Sequence, residues 1–211
     1  MDIRMLVGHV VILGVGLAQA CAAAPVDPGG APRRKWYPGH YLQTSYTDID
    51  PSQDVFDEVI KEPLFTGVEI LYWWRLLEPR RDDYSGIDRV VRDLDFMAAN
   101  GKKVMIMLSD KLWHVPDEAA VRRKLPDYLL DAPEYRRAAY PVANRWVIKL
   151  WDPVVNERFN KLITELGRRV DAHPALAGVH TMETATGGRG DVPQGEYTAQ
   201  KYIDAMKSNL T

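Results

Sequence analysis

Three stretches decide the fold: Gly67-Val68-Glu69-Ile70-Leu71-Tyr72-Trp73-Trp74, the run from Ile87 to Asn100, and Lys103-Val104-Met105-Ile106-Met107-Leu108-Ser109. The first is almost continuously apolar, which suits a strand covered on both faces. From Ile87 the period changes. Ile87, Val90, Val91, Leu94 and Met97 or Ala98 fall on one helical stripe, with Arg89, Arg92, Asp93 and Asp95 mostly elsewhere. Asn100-Gly101 is a helix stop, because Gly takes the left-handed conformation that ends a helix. The third stretch is again a buried strand. Strand, helix, tight glycine turn and strand form a βαβ unit, which predicts a parallel sheet.

Toward the N-terminus, Trp36 to Thr44 reads as an aromatic strand, and Asp54 to Lys61 as a short helix presenting Val55, Phe56, Val59 and Ile60. Toward the C-terminus, Asp110 to Lys149 has no clear period and several prolines. An insertion of that length in an α/β unit is usually functional rather than a connector. Asp152-Pro153 opens a strong amphipathic helix, with Asp as N-cap and Pro at the first helical position. Its core stripe is Val155, Phe159, Leu162, Ile163, Leu166 and Val170. His173-Pro174 ends it, Leu176 to Met182 is a fourth strand, and Tyr197 to Leu210 the next helix. About four strand-plus-helix units result, whereas a closed eight-unit barrel needs ~250 residues. The expectation is an α/β fold, the N-terminal half of a (β/α)8 TIM barrel, truncated.

The first residues read as a targeting signal. Arg4 is a thin basic start, Met5 to Ala18 is apolar except for His9, and Ala18-Gln19-Ala20 fits signal-peptidase cleavage after Ala20. The stretch is too short for a comfortable membrane span. The organisation expected is therefore a signal over residues 1–24, a spacer over 25–35 rich in Pro, Gly and Arg, and a partial barrel over 36–211. Cys21, the one cysteine, stands where a bacterial lipoprotein carries its lipid, so no intrachain disulfide forms and any membrane contact is through that anchor. The chain is read as exported: periplasmic, secreted or lipid-anchored. Its 27 basic and 29 acidic residues nearly balance, leaving no electrostatic footprint for nucleic acid. The His and Cys residues show no metal-ligand spacing, and no cofactor is expected.

The run Gly67 to Arg80, then Tyr84-Ser85-Gly86-Ile87-Asp88, then Gly101 to Leu108, resembles the opening of a (β/α)8 glycoside hydrolase of the retaining clan that includes cellulases, mannanases and β-galactosidases. Trp151-Asp152-Pro153, followed by Asp171 to Val179, is similar to the run into that clan's fourth strand. The resemblance covers most of residues 36–200. It implies that Glu183, at the end of the fourth strand, is the general acid/base. There a partly desolvated Glu can stay protonated near neutral pH. The clan's usual Asn before this Glu is Met182 here. Its nucleophile, on the seventh strand, has no counterpart. Glu69 lies inside the second strand and Glu196 is supported only by its charge. An acid without a nucleophile cannot run a double displacement.

Strand ends supply the remaining candidates for a carbohydrate partner. Trp73, Trp74 and Arg75 finish the second strand, where aromatic rings stack on sugar faces and Arg can fork onto hydroxyls. Alternation along a strand sends one of the two Trp residues to the core. Ser109, Asp110, Lys111, Trp113 and His114 follow the third strand, while His173 reads as structural. The expectation is a β-glycoside hydrolase lineage. The alternative is a non-catalytic or vestigial carbohydrate-binding barrel, and self-association of a half-barrel would cover its open sheet.

Overall fold

The computed structural model describes residues 35, 37–45, 53–113, 115–143, 145–182 and 196–209. The chain divides into two units, Met1–Arg34 and Lys35–Thr211, and the description concerns the second. The expected signal, Cys21 and nearly all of the spacer lie outside the described residues. Lys35, the last spacer residue, belongs to the folded unit, where its ammonium lies 3.7 Å from the Asp171 carboxylate.

In chain order the elements are β1 (His40–Ser45), α1 (Gln53–Lys61), β2 (Phe65–Trp73), α2 (Trp74–Leu77), α3 (Ile87–Ala99), β3 (Lys103–Ser109), β4 (Lys111–Trp113), α4 (Glu118–Arg122), α5 (Asp127–Asp131), a 3₁₀ turn (Pro133–Tyr135), β5 (Ala139–Val142), β6 (Arg145–Ile148), α6 (Pro153–Val170), β7 (Leu176–Thr181) and α7 (Ala199–Ser208). The main sheet is parallel with strand order β1-β2-β3-β7, the βαβ pattern expected from the sequence. Helix α1 packs on β1 and β2, α3 on β3, and α6 on α3.

The two caps read from sequence form as expected. Asp152 accepts a hydrogen bond from the Val154 N–H at 2.9 Å, with Pro153 at the first helical position. Gly101 follows α3 with φ +69°, a conformation in which a Cβ is penalised. Val155, Phe159, Leu162, Leu166 and Val170 of α6 are buried, and each contributes roughly 1.5–3 kcal/mol relative to exposure.

Register assigns the two faces of the sheet. Val68, Ile70 and Tyr72 face the helices, and the Tyr72 hydroxyl donates to Asp93 of α3 at 2.6 Å. Glu69, Leu71 and Trp73 alternate onto the other face, in register with Met105, Met107 and Ser109 of β3. Gln43 of β1 reaches Met107 across β2 at 3.9 Å, and His180 of β7 reaches Glu69 across β3 at 3.3 Å. Both contacts span an intervening strand, so this is the concave, lumen side.

The segment Asp110 to Lys149, aperiodic in sequence, folds as an insert with its own antiparallel sheet of order β4-β6-β5. Its strands and helices are three to five residues long, too short to display a period.

Candidate active site

Ser45, Trp73, Ser109 and Thr181 are the last residues of the four parallel strands, so their C-terminal ends form one rim. Trp73 closes β2 and is 9% exposed, with the Lys124 ammonium 3.8 Å from its ring centroid. Trp74 does not continue the strand. The chain turns into α2, strand alternation ends, and Trp74 is driven into the core at 1% exposure. Its ring lies 5.2 Å from that of Phe159, and its indole N–H donates to Glu78 at 2.8 Å. Trp74 is therefore a core residue and offers no face to a sugar. Arg75, also in α2 rather than at the strand end, turns toward the insert and pairs with Asp127 at 2.9 Å.

Asp110 and Lys111 follow β3 and are almost fully buried. The Lys111 ammonium contacts the Asp110 carboxylate and donates to the Tyr202 hydroxyl of α7 at 3.1 Å. Burial pushes the Tyr202 phenol above its ordinary range, and the Lys111 charge opposes that. Asp110 is thus engaged within the protein, not presented to a ligand. Ser109 donates to the Lys111 carbonyl at 2.9 Å and toward the Met182 sulfur at 3.6 Å, joining the end of β3 to the residue after β7. Trp113, half-buried on β4, is stacked by the Arg145 guanidinium 4.4 Å from its centroid. His114 and Glu183 lie outside the described residues. His173 is structural: it contacts Asp95 at 3.2 Å and accepts the Ala175 N–H at 3.1 Å.

One carboxylate escaped the sequence reading. Glu78, inside the Leu77-Glu78-Pro79 segment, is 0% exposed. It accepts the Trp74 indole N–H, the Tyr128 hydroxyl at 2.9 Å, the Asp82 N–H at 2.9 Å and the Arg158 guanidinium. Three neutral donors and a cation compensate the dehydration of a buried charge. Arg158 also donates to Asp82 at 2.9 Å, and Lys161 contacts the same carboxylate. These hydrogen bonds, first that from Lys161, lower Asp82 to about 2. Burial, reinforced by Glu78, pushes the Tyr84 phenol up to about 12. The available signal was an apolar run ending in Glu-Pro. The distant partner itself leaves no mark in the sequence.

Glu196 also receives a partner, the Lys149 ammonium at 2.9 Å. Asp110, Glu78 and Glu196 are paired with Lys111, Arg158 and Lys149, and Glu69 lies 3.3 Å from the His180 ring. They serve the fold more readily than an incoming substrate. Among the described residues, no group of three or more His, Cys, Asp or Glu could hold a metal ion.

No family model matches the chain, and no curated protein matches it. Solved structures do. An endo-glycoceramidase II from Rhodococcus sp., in a cellobiose-like isofagomine complex, superposes with TM-score 0.54 at 18% identity, over 80% of this chain and 46% of that one. A GH5_18 protein from Bifidobacterium longum subsp. longum gives TM-score 0.52 at 15% identity, over 81% and 39%. A GH5_18 protein from Streptomyces cattleya, in complex with Manb1-4GlcNAc, gives 0.50 at 16% identity, over 74% and 35%. The chain thus spans between about a third and a half of these structures' length. The fold is that of part of a (β/α)8 barrel, the fold that the sequence resemblance implied.

Proposed function

We propose that this chain carries part of a carbohydrate-active site whose whole barrel hydrolyses β-glycosidic bonds with retention, Glu183 serving as general acid/base. The observation that carries this reading is the parallel register of β7 beside β3, which pairs Leu108 with Thr181. Glu183 follows Thr181 by two residues, just past the C-terminal end of the fourth strand. Active sites of parallel barrels are built from that end. The similar structures are bound to Manb1-4GlcNAc and to cellobiose-like inhibitors, so a β-linked disaccharide is the substrate class to test. Of the strand-end aromatics, Trp113 keeps some exposure to meet a sugar ring, whereas Trp73 is buried under Lys124.

Retention requires a second carboxylate ~5–5.5 Å from the acid. Glu69 is held in mid-strand against His180, and Glu196 is paired with Lys149, so neither is suited to that role. The test is incubation of the full chain with aryl β-mannosides, aryl β-glucosides and β-1,4-linked disaccharides, following anomeric configuration by NMR. Hydrolysis with retention, lost in Glu183→Ala and partly restored by azide, is the expected result for a complete site. Absence of turnover by the unmodified chain overturns independent catalysis.

A second reading rests on Met182. Its thioether lies against Ser109 and cannot donate a hydrogen bond to a sugar hydroxyl. That favours a carbohydrate-binding barrel without turnover. Disaccharide affinity would then survive Glu183→Gln and fall on Trp113→Ala. Export through the leader ending at Ala20, with Cys21 as acceptor of a lipid, is part of the same proposal. Intact-mass analysis of the mature protein checks it.

A further inference from the structure

Trp73 and Trp113 each carry a cation on the ring face, and the insert supplies both cations. Arg145 lies 4.4 Å from the centroid of Trp113, its partner in the β4–β6 register, yet Trp113 keeps part of its surface exposed. Trp73 is more completely covered. It ends β2 on the lumen face, in register with Ser109, and the Lys124 ammonium sits 3.8 Å from its centroid. Only 9% of Trp73 is exposed. The backbone that carries Lys124 is fixed. The Lys124 carbonyl accepts the Arg75 N–H at 3.0 Å, and the Lys124 N–H donates to the Val121 carbonyl at 2.8 Å. Three residues on, Asp127 pairs with the Arg75 guanidinium at 2.9 Å. What stays adjustable is the flexible four-carbon stem, which can swing the ammonium off the ring.

We propose that Lys124 is a specificity-determining residue of the carbohydrate site: its ammonium holds the Trp73 face against a neutral sugar ring. The π-face of an indole attracts a cation, and a pyranose that stacks on the same face has to displace it. A neutral disaccharide therefore meets an open platform at Trp113 and an occupied one at Trp73. A cation–π contact weakens such a competitor roughly 2- to 30-fold, least on an exposed ring and most on a desolvated one. Trp73, nearly buried, belongs toward the stronger end. This role rests on the carbohydrate reading of the site and states what its β2 side admits.

The test uses the full 211-residue chain, with cellobiose and β-1,4-mannobiose as probes in calorimetry and acrylamide as a quencher of tryptophan fluorescence. Lys124→Ala, with an unchanged far-UV circular dichroism spectrum, is expected to bind a disaccharide roughly 2- to 30-fold more tightly than the parent and to be quenched more. Lys124→Arg keeps a cation over the ring and should behave as the parent. Lys124→Ala/Trp73→Leu should lose both gains, which separates uncovering of Trp73 from a loosened insert. Equal disaccharide affinity in the parent and Lys124→Ala overturns the role of Lys124 and leaves the carbohydrate reading standing. So does equal quenching, or a gain that persists in the double variant. Absence of binding by every variant and by the parent overturns the carbohydrate reading itself, and the role of Lys124 falls with it.

Discussion

Glu78 and Arg158 stand 80 residues apart in sequence and meet as a buried ion pair beneath the rim of the sheet. Glu78 follows α2 and Arg158 lies on α6, so the pair ties the end of β2 to the helix that leads into β7. Tyr128 of the insert donates to the same carboxylate. The insert, the second strand and the fourth strand of the sheet are thereby held by one buried carboxylate.

Removing either charge leaves the other dehydrated and unmatched. Glu78→Gln or Arg158→Met is expected to destabilise the fold by about 3–5 kcal/mol in urea unfolding. The double variant Glu78→Gln/Arg158→Met should cost clearly less than the sum, because it leaves no lone buried charge. Additive losses would mean that the two side chains do not act as a pair.

Asp82 provides a pH signature. Its carboxyl is held at about 2 against an ordinary 3.8, so the folded state binds its proton less readily than the unfolded state. The resulting stabilisation is fully present above about pH 4 and is lost as pH falls toward 2. Asp82 is half-exposed, and solvent screening limits the effect to ~1 kcal/mol or less. Asp82 has φ 62°, which Asn also tolerates, so Asp82→Asn isolates the charge. The variant should melt a few degrees lower at pH 7 and converge with the parent near pH 2.

Two glycines separate backbone conformation from space. A Cβ at Gly67 would lie 1.9 Å from the Lys103 carbonyl oxygen, a backbone atom that moves only with its strand. Gly67→Ala should cost about 3 kcal/mol. A Cβ at Gly101 would meet nothing within 4 Å, and only the positive φ opposes it. Gly101→Ala should cost about 1 kcal/mol. Chemical denaturation that ranked them in reverse would contradict the packing of β2 against β3.

Lys111 holds α7 to the end of β3 through Tyr202. Lys111→Met is expected to cost about 3–5 kcal/mol by leaving Asp110 without its ammonium. Tyr202→Phe, which keeps the ring but removes the hydroxyl, should cost about 1 kcal/mol. Limited proteolysis reports the local consequence: Lys111→Met should be cut within α7 faster than Tyr202→Phe.

The parallel sheet and its helices were readable because their determinants are local. The stripe from Ile87 to Met97, the Asp152-Pro153 cap and the Gly101 stop lie within one helix or at its ends, where neighbouring residues are spatial neighbours. The insert was not readable, since strands and helices of three to five residues complete no diagnostic period. Trp74 was misplaced for a related reason: strand alternation predicts a direction only while the strand lasts, and β2 ends one residue earlier.

The sequence by itself determined the strand–helix rhythm and the parallel sheet, and it alone nominates Glu183. Tertiary structure alone decided which charges are spent. Asp110 on Lys111 and Glu78 on Arg158 are pairings that burial selects, since a carboxylate leaving water must take the cation the fold brings to it, and the buried Lys149 in turn takes the exposed Glu196. Apart from Asp110 with Lys111, those partners are far apart along the chain, where residue spacing carries no record of contact.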